Sequence, residues 1–152
     1  MSARFFLDSS ALIKLYHQEV GTERLEEMFA TDASLVISEL AVVELHSALA
    51  RKVRTGEIPV DSCEQVARNF DQDCADRFDI EPLTSAVVQQ AKELLNKHGR
   101  QRALRSLDAL QLASFAIVRA SEEAIFVCAD GHLCEIVRLE GFSVLNPEEA
   151  VS

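Results

Sequence analysis

From end to end the chain alternates short apolar runs of buried-strand length with longer segments of helical periodicity. Arg4 to Leu7 is the first run, Ser34 to Ile37 the second, Asp79 to Glu81 a short third, Ile125 to Ala129 the fourth and Phe142 to Leu145 the last. Between them, apolar residues recur three and four apart, as in Leu25, Met28 and Phe29, or Val66, Phe70, Cys74 and Phe78. Strands separated by helices pair in parallel and need helices on both faces. The pattern therefore predicts an α/β domain of three layers, α/β/α, around a parallel sheet of four to five strands. At 152 residues, without repeats or low-complexity stretches, positions 1–152 are read as one domain with one sizeable core.

Local chemistry sets the expected boundaries. Asp8-Ser9-Ser10 opens a helix over Ala11 to Tyr16, and Glu19 to Ala30 forms the next. Ser38 caps a helix from Glu39 to about Thr55, with Gly56 in the stop position. Pro59 is tolerated ahead of a helix over Val60 to Phe78. Thr84 caps a helix through Leu95 that Gly99 breaks, Ser106 opens an apolar one from Leu107 to about Glu122, and Gly141 stops one over Gly131 to Glu140.

An apolar fraction of 48% with 26% charged residues is that of a soluble globular protein. Met1 to Ile13 lacks the features of a secretory signal and no apolar run approaches membrane-spanning length, so a cytoplasmic location and no membrane partner are expected. Cys63, Cys74, Cys128 and Cys134 form no C-x-x-C pair and lie in apolar periodic segments, which favours buried free thiols. The net charge of −10 argues against a nucleic-acid partner at first sight, because phosphate binding rests on Lys and Arg. Its distribution softens that argument: Ala91 to Ala120 holds six basic residues against two acids, whereas Glu57 to Glu81 and Ser121 to Ser152 each carry −6. Lys97, Arg100, Arg102 and Arg105 in the basic stretch are thus candidate RNA contacts, as is Lys14. An ordinary solvated helix face explains the same stretch equally well.

Four carboxylates stand in unusual positions. Asp8 and Asp130 each follow an apolar run, at the carboxyl end of an expected strand, where open parallel sheets place their sites; each can also be a plain helix cap. Glu44 interrupts the apolar stretch Leu40-Ala41-Val42-Val43-Glu44-Leu45, where it must reach solvent, pair, shift its pKa or bind a cation. Asp108 sits in the first turn of an apolar helix, a position the helix dipole favours by itself. Brought together at a switch point, the four would repel unless protons or hard divalent cations neutralised them. Magnesium or manganese held by carboxylates and waters orients a hydrolytic water and stabilises charge on a phosphoryl oxygen, which suits phosphodiester hydrolysis without a nucleophilic side chain.

The stretches Phe6 to Lys14, Ser38 to Leu45, Leu107 to Ala113 and Phe126 to Asp130 closely resemble, in order and spacing, the four acidic motifs of PIN-domain ribonucleases, and Leu139 to Pro147 resembles the usual end of that domain. The resemblance spans about Arg4 to Glu149. Its compact form is most similar to the VapC-type toxins of toxin–antitoxin pairs. That resemblance implies a PIN-like fold, metal-dependent endonucleolytic RNA cleavage, homodimerisation and inhibition by a small VapB-like antitoxin. It implies metal-ligand roles for Asp8, Glu44 and Asp108, with Asp130 completing the acidic site and Ser10 as a secondary polar contact. Gly131-His132 follows Asp130 where a further acid would stand, which leaves a second metal position open.

Other readings are weaker. His17, His46, His98 and His132 lack metal-ligand spacing and are read as surface or helix-end residues, with His132 the one near an acid. Arg51, Lys52 and Arg54 can contact phosphate or merely complement a helix end. Leu12, Ile13, Leu15 and Tyr16, with Val42, Leu45 and Leu49, fit core packing better than an exposed groove. An aspartate-based phosphohydrolase would carry Asp-x-Asp where this chain has Asp8-Ser9-Ser10, and a non-catalytic scaffold would have no need of all four acids.

Overall fold

The computed structural model describes residues 3–150. Five parallel strands form one sheet: β1 (Arg4–Leu7), β2 (Ser34–Ser38), β3 (Phe78–Glu81), β4 (Ile125–Val127) and β5 (Val144–Leu145), in the order β3-β2-β1-β4-β5. The chain builds outward from β1 to β3 on one side, then returns through β4 to β5 on the other. The switch point lies between β1 and β4, where Leu7 pairs with Val127 and the Asp8 amide donates to the Val127 carbonyl at 3.1 Å.

Seven helices cover the sheet: α1 (Ser9–Leu12, continued by a 3-10 turn at Ile13–Leu15), α2 (Thr22–Ala30), α3 (Glu39–Arg54), α4 (Val60–Asp76), α5 (Ser85–Arg102), α6 (Ser106–Ser121) and α7 (Gly131–Leu139). Because successive strand side chains point to opposite faces, each strand supplies both layers. Phe6, Val36 and Phe126 face α5, α6 and α7, while Leu7, Leu35, Ile37 and Val127 face α1 to α4. Phe6 stacks on Phe126 at 5.7 Å, and Phe115 of α6 sets its edge against both rings. This aromatic wedge lies one residue below Leu7 and Val127 and fixes the height of the two strand ends. Removing one such ring costs about 3–5 kcal/mol.

The three-layer arrangement and the parallel sheet agree with the sequence, and the sheet has five strands. Leu12, Ile13, Leu45 and Leu49 are core residues, and the four cysteines are free, Cys128 and Cys134 buried and Cys63 and Cys74 half-buried. Gly99 does not break a helix. It lies in α5, which runs on to Arg102 and ends where Ala103 takes a left-handed conformation at φ 52°. An internal glycine costs a helix only about 1 kcal/mol, which the burial of Val87, Ala91, Leu94 and His98 along α5 outweighs. The second helix starts at Thr22, after Gly21 at φ 92°, and Ser106 is the first residue of α6, with Arg105 at the cap position. Among the described residues no helix is long and apolar enough to cross a membrane.

Candidate active site

Three strand ends deliver the site. After β1 the chain turns into α1 at Asp8, whose Oδ1 accepts from the Ala11 amide at 3.0 Å and from Ser10 Oγ at 2.7 Å. After β4 it turns into α7 at Asp130, whose Oδ1 accepts from the amides of His132 and Leu133 at 2.9 and 3.3 Å. Both aspartates therefore act as helix caps, each following a strand of the sheet. Ser10 ties the two ends: it donates to Asp8 and accepts from the Ala129 amide at 2.9 Å.

From β2, Ser38 caps α3, which carries Glu44 one and a half turns onward. Glu44 Oε1 accepts from Ser9 Oγ at 2.5 Å and from Gln111 Nε2 at 2.8 Å, and the same Gln111 nitrogen lies 3.0 Å from Ser9 Oγ. Gln111 is one turn beyond Asp108 on α6, so a single amide joins α6, α3 and α1 beside the acids. Neither Ser9 nor Gln111 is among the residues expected at the site from the sequence alone. A glutamine between Leu110 and Leu112, three residues after Asp108, was the signal for the second.

The electrostatics run through all four acids. Burial pushes the Asp8 carboxyl up to about 6, against the hydrogen bonds from Ser10, Ala11 and Cys128, and the Asp108 charge adds to the rise. Asp108 is raised by burial first and then by the neighbouring charges of Asp130 and Glu44, with Arg105 and His132 opposing. Asp108 thus lies within electrostatic reach of Asp8, Asp130 and Glu44. Among the described residues, however, no three His, Cys, Asp or Glu side chains are gathered into a ready cage for an ion.

The donor set nevertheless fits a hard divalent cation. Every candidate atom is a carboxylate oxygen, the repulsion among the acids is what a cation relieves, and one oxygen each of Asp8, Glu44 and Asp130 is already fixed by the protein. Magnesium keeps several waters and takes only one or two carboxylates directly, so it needs no tight cage.

Several expected contacts lie elsewhere. Lys14 is 2% exposed and pairs with Glu19 at 3.2 Å and Glu148 at 2.7 Å, which removes it as an RNA contact. It sits in the 3-10 turn after α1, where two carboxylates offset the cost of burying its charge. Lys97 pairs with Glu140 at 2.7 Å. Arg105, in the basic stretch, lies 3.9 Å from Asp108. His98 is neither at the surface nor at a helix end: it is 2% exposed and shares a 2.8 Å hydrogen bond with Glu140. His132 bonds through Nε2 to the Arg102 carbonyl and clamps the start of α7 to the α5–α6 connection.

A family model of the PIN domain matches residues 5–139, and the chain belongs to that family. Its relatives include ribonuclease VapC45 and ribonuclease VapC49, from two strains of Mycobacterium tuberculosis, each 30% identical over 109 residues, 72% of this chain and 72% of the relative. Solved structures share the fold. FitAcB from Neisseria gonorrhoeae superposes with a TM-score of 0.70 at 12% identity, covering 96% of this chain and 99% of that one. The sarcin-ricin loop cleaving toxin VapC20 of Mycobacterium tuberculosis gives 0.67 at 20% identity, covering 94% and 99%. A toxin–antitoxin complex from Klebsiella pneumoniae gives 0.66 at 15%, covering 96% and 99%.

Proposed function

We propose that the chain is a Mg2+- or Mn2+-dependent endoribonuclease, the toxin of a VapBC-type pair, with Asp8, Glu44, Asp108 and Asp130 as its metal-holding and catalytic acids. The observation that carries the proposal is the placement of Asp8 and Asp130 after the neighbouring strands β1 and β4, with Glu44 and Asp108 lining one cavity, in a relative of named ribonucleases. A divalent cation bound there would supply charge neutralisation at a phosphoryl oxygen and a more acidic water.

The protein's own groups do the positioning. Asp8, fixed by Ser10 and the Ala11 amide, and Asp130, fixed on α7, hold their carboxylates at neighbouring strand ends. Ser9 and Gln111 orient Glu44, so that it presents one fixed oxygen rather than a mobile side chain. Asp108, raised by burial and then by the neighbouring acids, would be the group that accepts a proton from an incoming water. No side chain need form a covalent intermediate.

The partners follow the same reading: an RNA substrate, a VapB-like antitoxin, a second copy of the chain and a cytoplasmic setting. A net charge of −10 steers a basic antitoxin towards the acids. Val43 and Leu83 are exposed and share a side, because the Leu83 amide donates to Glu39 one turn before Val43, and this gives a homodimer an apolar footing. The decisive experiment is incubation of a mixed RNA pool with the protein in Mg2+, in Mn2+ and in EDTA, beside Asp8→Asn and Asp108→Asn. Discrete fragments are expected only for the parent with metal. Identical fragments from the variants, or none from the parent in either metal, would sink the proposal.

A further inference from the structure

We infer that Arg51 and Arg54 form a phosphate-holding subsite, so that a single RNA strand crosses the acids along one stripe of α3 with arginines gripping it on either side. The inference rests on the ribonuclease reading and specifies how that site takes its substrate.

Glu44, Ser47, Ala48, Arg51 and Arg54 follow helical spacing and share one face of α3. That face forms the wall of a cavity of about 450 Å³ whose lining includes Ser9, Ser10, Glu44, Ser47, Arg51 and Arg54. A second cavity of about 380 Å³ is lined by Glu44, Arg105, Ser106, Leu107 and Asp108. The two share Glu44 and Leu107, so they join at Glu44, with Asp108 in the second. The result is one groove with cationic ends and an acidic middle. At 1.5 Å per residue, Arg51 and Arg54 stand roughly 10 and 15 Å along α3 from Glu44, within a few nucleotides of a bond cut over the acids.

The arginines are also available. Among the described residues neither Arg51 nor Arg54 has a carboxylate partner, in a chain where 25 acids face 15 bases. Lys52 between them turns away and pairs with Glu19 at 3.5 Å and Glu57 at 3.2 Å. The helix dipole accounts for basic residues in the last turn but not for two of them lining the cavity that holds Glu44. A polyanion satisfies both cationic ends and lays one phosphate over the middle. Lys97, Arg100 and Arg102 line neither cavity, so of the basic stretch only Arg105 lies on this path.

The test measures binding of a fluorescent twelve-nucleotide single-stranded RNA to the full chain carrying Asp108→Asn, in Mg2+, over a series of KCl concentrations. Adding Arg51→Ala and Arg54→Ala should weaken binding at least tenfold and lower the salt slope by about 1.4, the value for two lost phosphate contacts on a single strand. Adding Arg51→Lys and Arg54→Lys instead should restore most of the slope, since lysine still meets phosphate as a point charge. Adding Arg100→Ala and Arg102→Ala should leave affinity within twofold. If the Arg51/Arg54 alanine variant melts like its parent yet binds RNA with unchanged affinity and slope, the subsite is wrong and the ribonuclease reading stands. A parent that binds no RNA at all would remove both.

Discussion

Gln111 Nε2 on α6 lies 2.8 Å from Glu44 Oε1 on α3, while the Gln111 Oε1 atom is buried without a hydrogen-bond partner among the described residues. The side chain is 2% exposed, so the bond to Glu44 and the contact with Ser9 are what keep an amide in this position. Gln111→Glu, nearly the same shape, should place a second buried charge against Glu44 and destabilise the metal-free protein by about 3 kcal/mol at pH 7. Gln111→Met removes the donor without adding charge and should cost about 1–2 kcal/mol. Urea unfolding in EDTA measures both. Equal stability of the glutamate variant and the parent would mean that Gln111 does not hold Glu44 in solution.

The Asp8 carboxyl gives a pH dependence with a definite sign. Its folded pKa of about 6 lies above the ordinary 3.8, so folding costs about 3 kcal/mol at neutral pH, where the buried group is charged in both states. The cost fades as pH falls through 6, because the folded state then binds a proton that the unfolded state lacks, and it is gone below 3.8. Asp8→Asn keeps a competent cap and loses the charge. In EDTA it should be more stable than the parent at pH 7 by about 2–3 kcal/mol, and the gap should close by pH 4. A gap that does not vary with pH would refute the burial account.

Glu140 behaves in the opposite sense. Burial raises its pKa, but hydrogen bonds from Lys97 at 2.7 Å and His98 at 2.8 Å outweigh it and hold the carboxyl below its ordinary value. A depressed carboxylate contributes stability above the unfolded pKa and loses it as pH falls through the folded one. Glu140→Gln should therefore cost about 1–2 kcal/mol at pH 7, and the variant should converge on the parent as pH drops below 4.5. Thermal melts across that range decide it. Divergence of the two curves in acid would show that the contact between α5 and the end of α7 is not ionic.

Two glycines separate local propensity from tertiary fit. Gly99 lies inside α5 with open space around it, so Gly99→Ala should stabilise the protein by about 0.5–1 kcal/mol. Gly21 has φ 92°, and an added Cβ would stand 2.7 Å from the Pro147 carbonyl oxygen, so Gly21→Ala should cost about 2 kcal/mol or more. Denaturant midpoints of the two variants should move in opposite directions.

What the sequence could reveal follows the same division. Asp8 and Asp130 were legible because an acid directly after an apolar run is a local pattern, and Glu44 because it interrupts one. Gly99 misled because a helix break is a local inference, whereas its tolerance depends on the burial of Leu94 and His98. The burial of Lys14 was invisible for a related reason: its partner Glu148 is 134 residues away, beyond any window of periodicity. Ser9 and Gln111 escaped because their role exists only where α1, α3 and α6 meet. The densest run of basic residues is the sequence's first choice for an RNA path, with Arg51 and Arg54 a weaker one, whereas the cavities that share Glu44 are lined by Arg51, Arg54 and Arg105, three residues drawn from two separate segments.

The last prediction concerns the cation itself. If Asp8, Glu44, Asp108 and Asp130 hold Mg2+ or Mn2+, then the ion binds the folded chain and not the unfolded one, and at a hundredfold excess over its Kd it should add about 2.7 kcal/mol. For a chain of 152 residues that is a rise in Tm of roughly 5–10 °C. Protons compete for the same oxygens. Asp8 gains a proton as pH falls through about 6, so the rise should be larger at pH 8 than at pH 5. Ionic strength matched with KCl is the control, because general screening would relieve the net charge of −10 without any site. The Asp8→Asn and Asp108→Asn double variant should start from a higher Tm without metal and gain little when metal is added. If parent and double variant rise equally, or KCl reproduces the effect, the four carboxylates are not a cation site and the metal-dependent chemistry built on them fails.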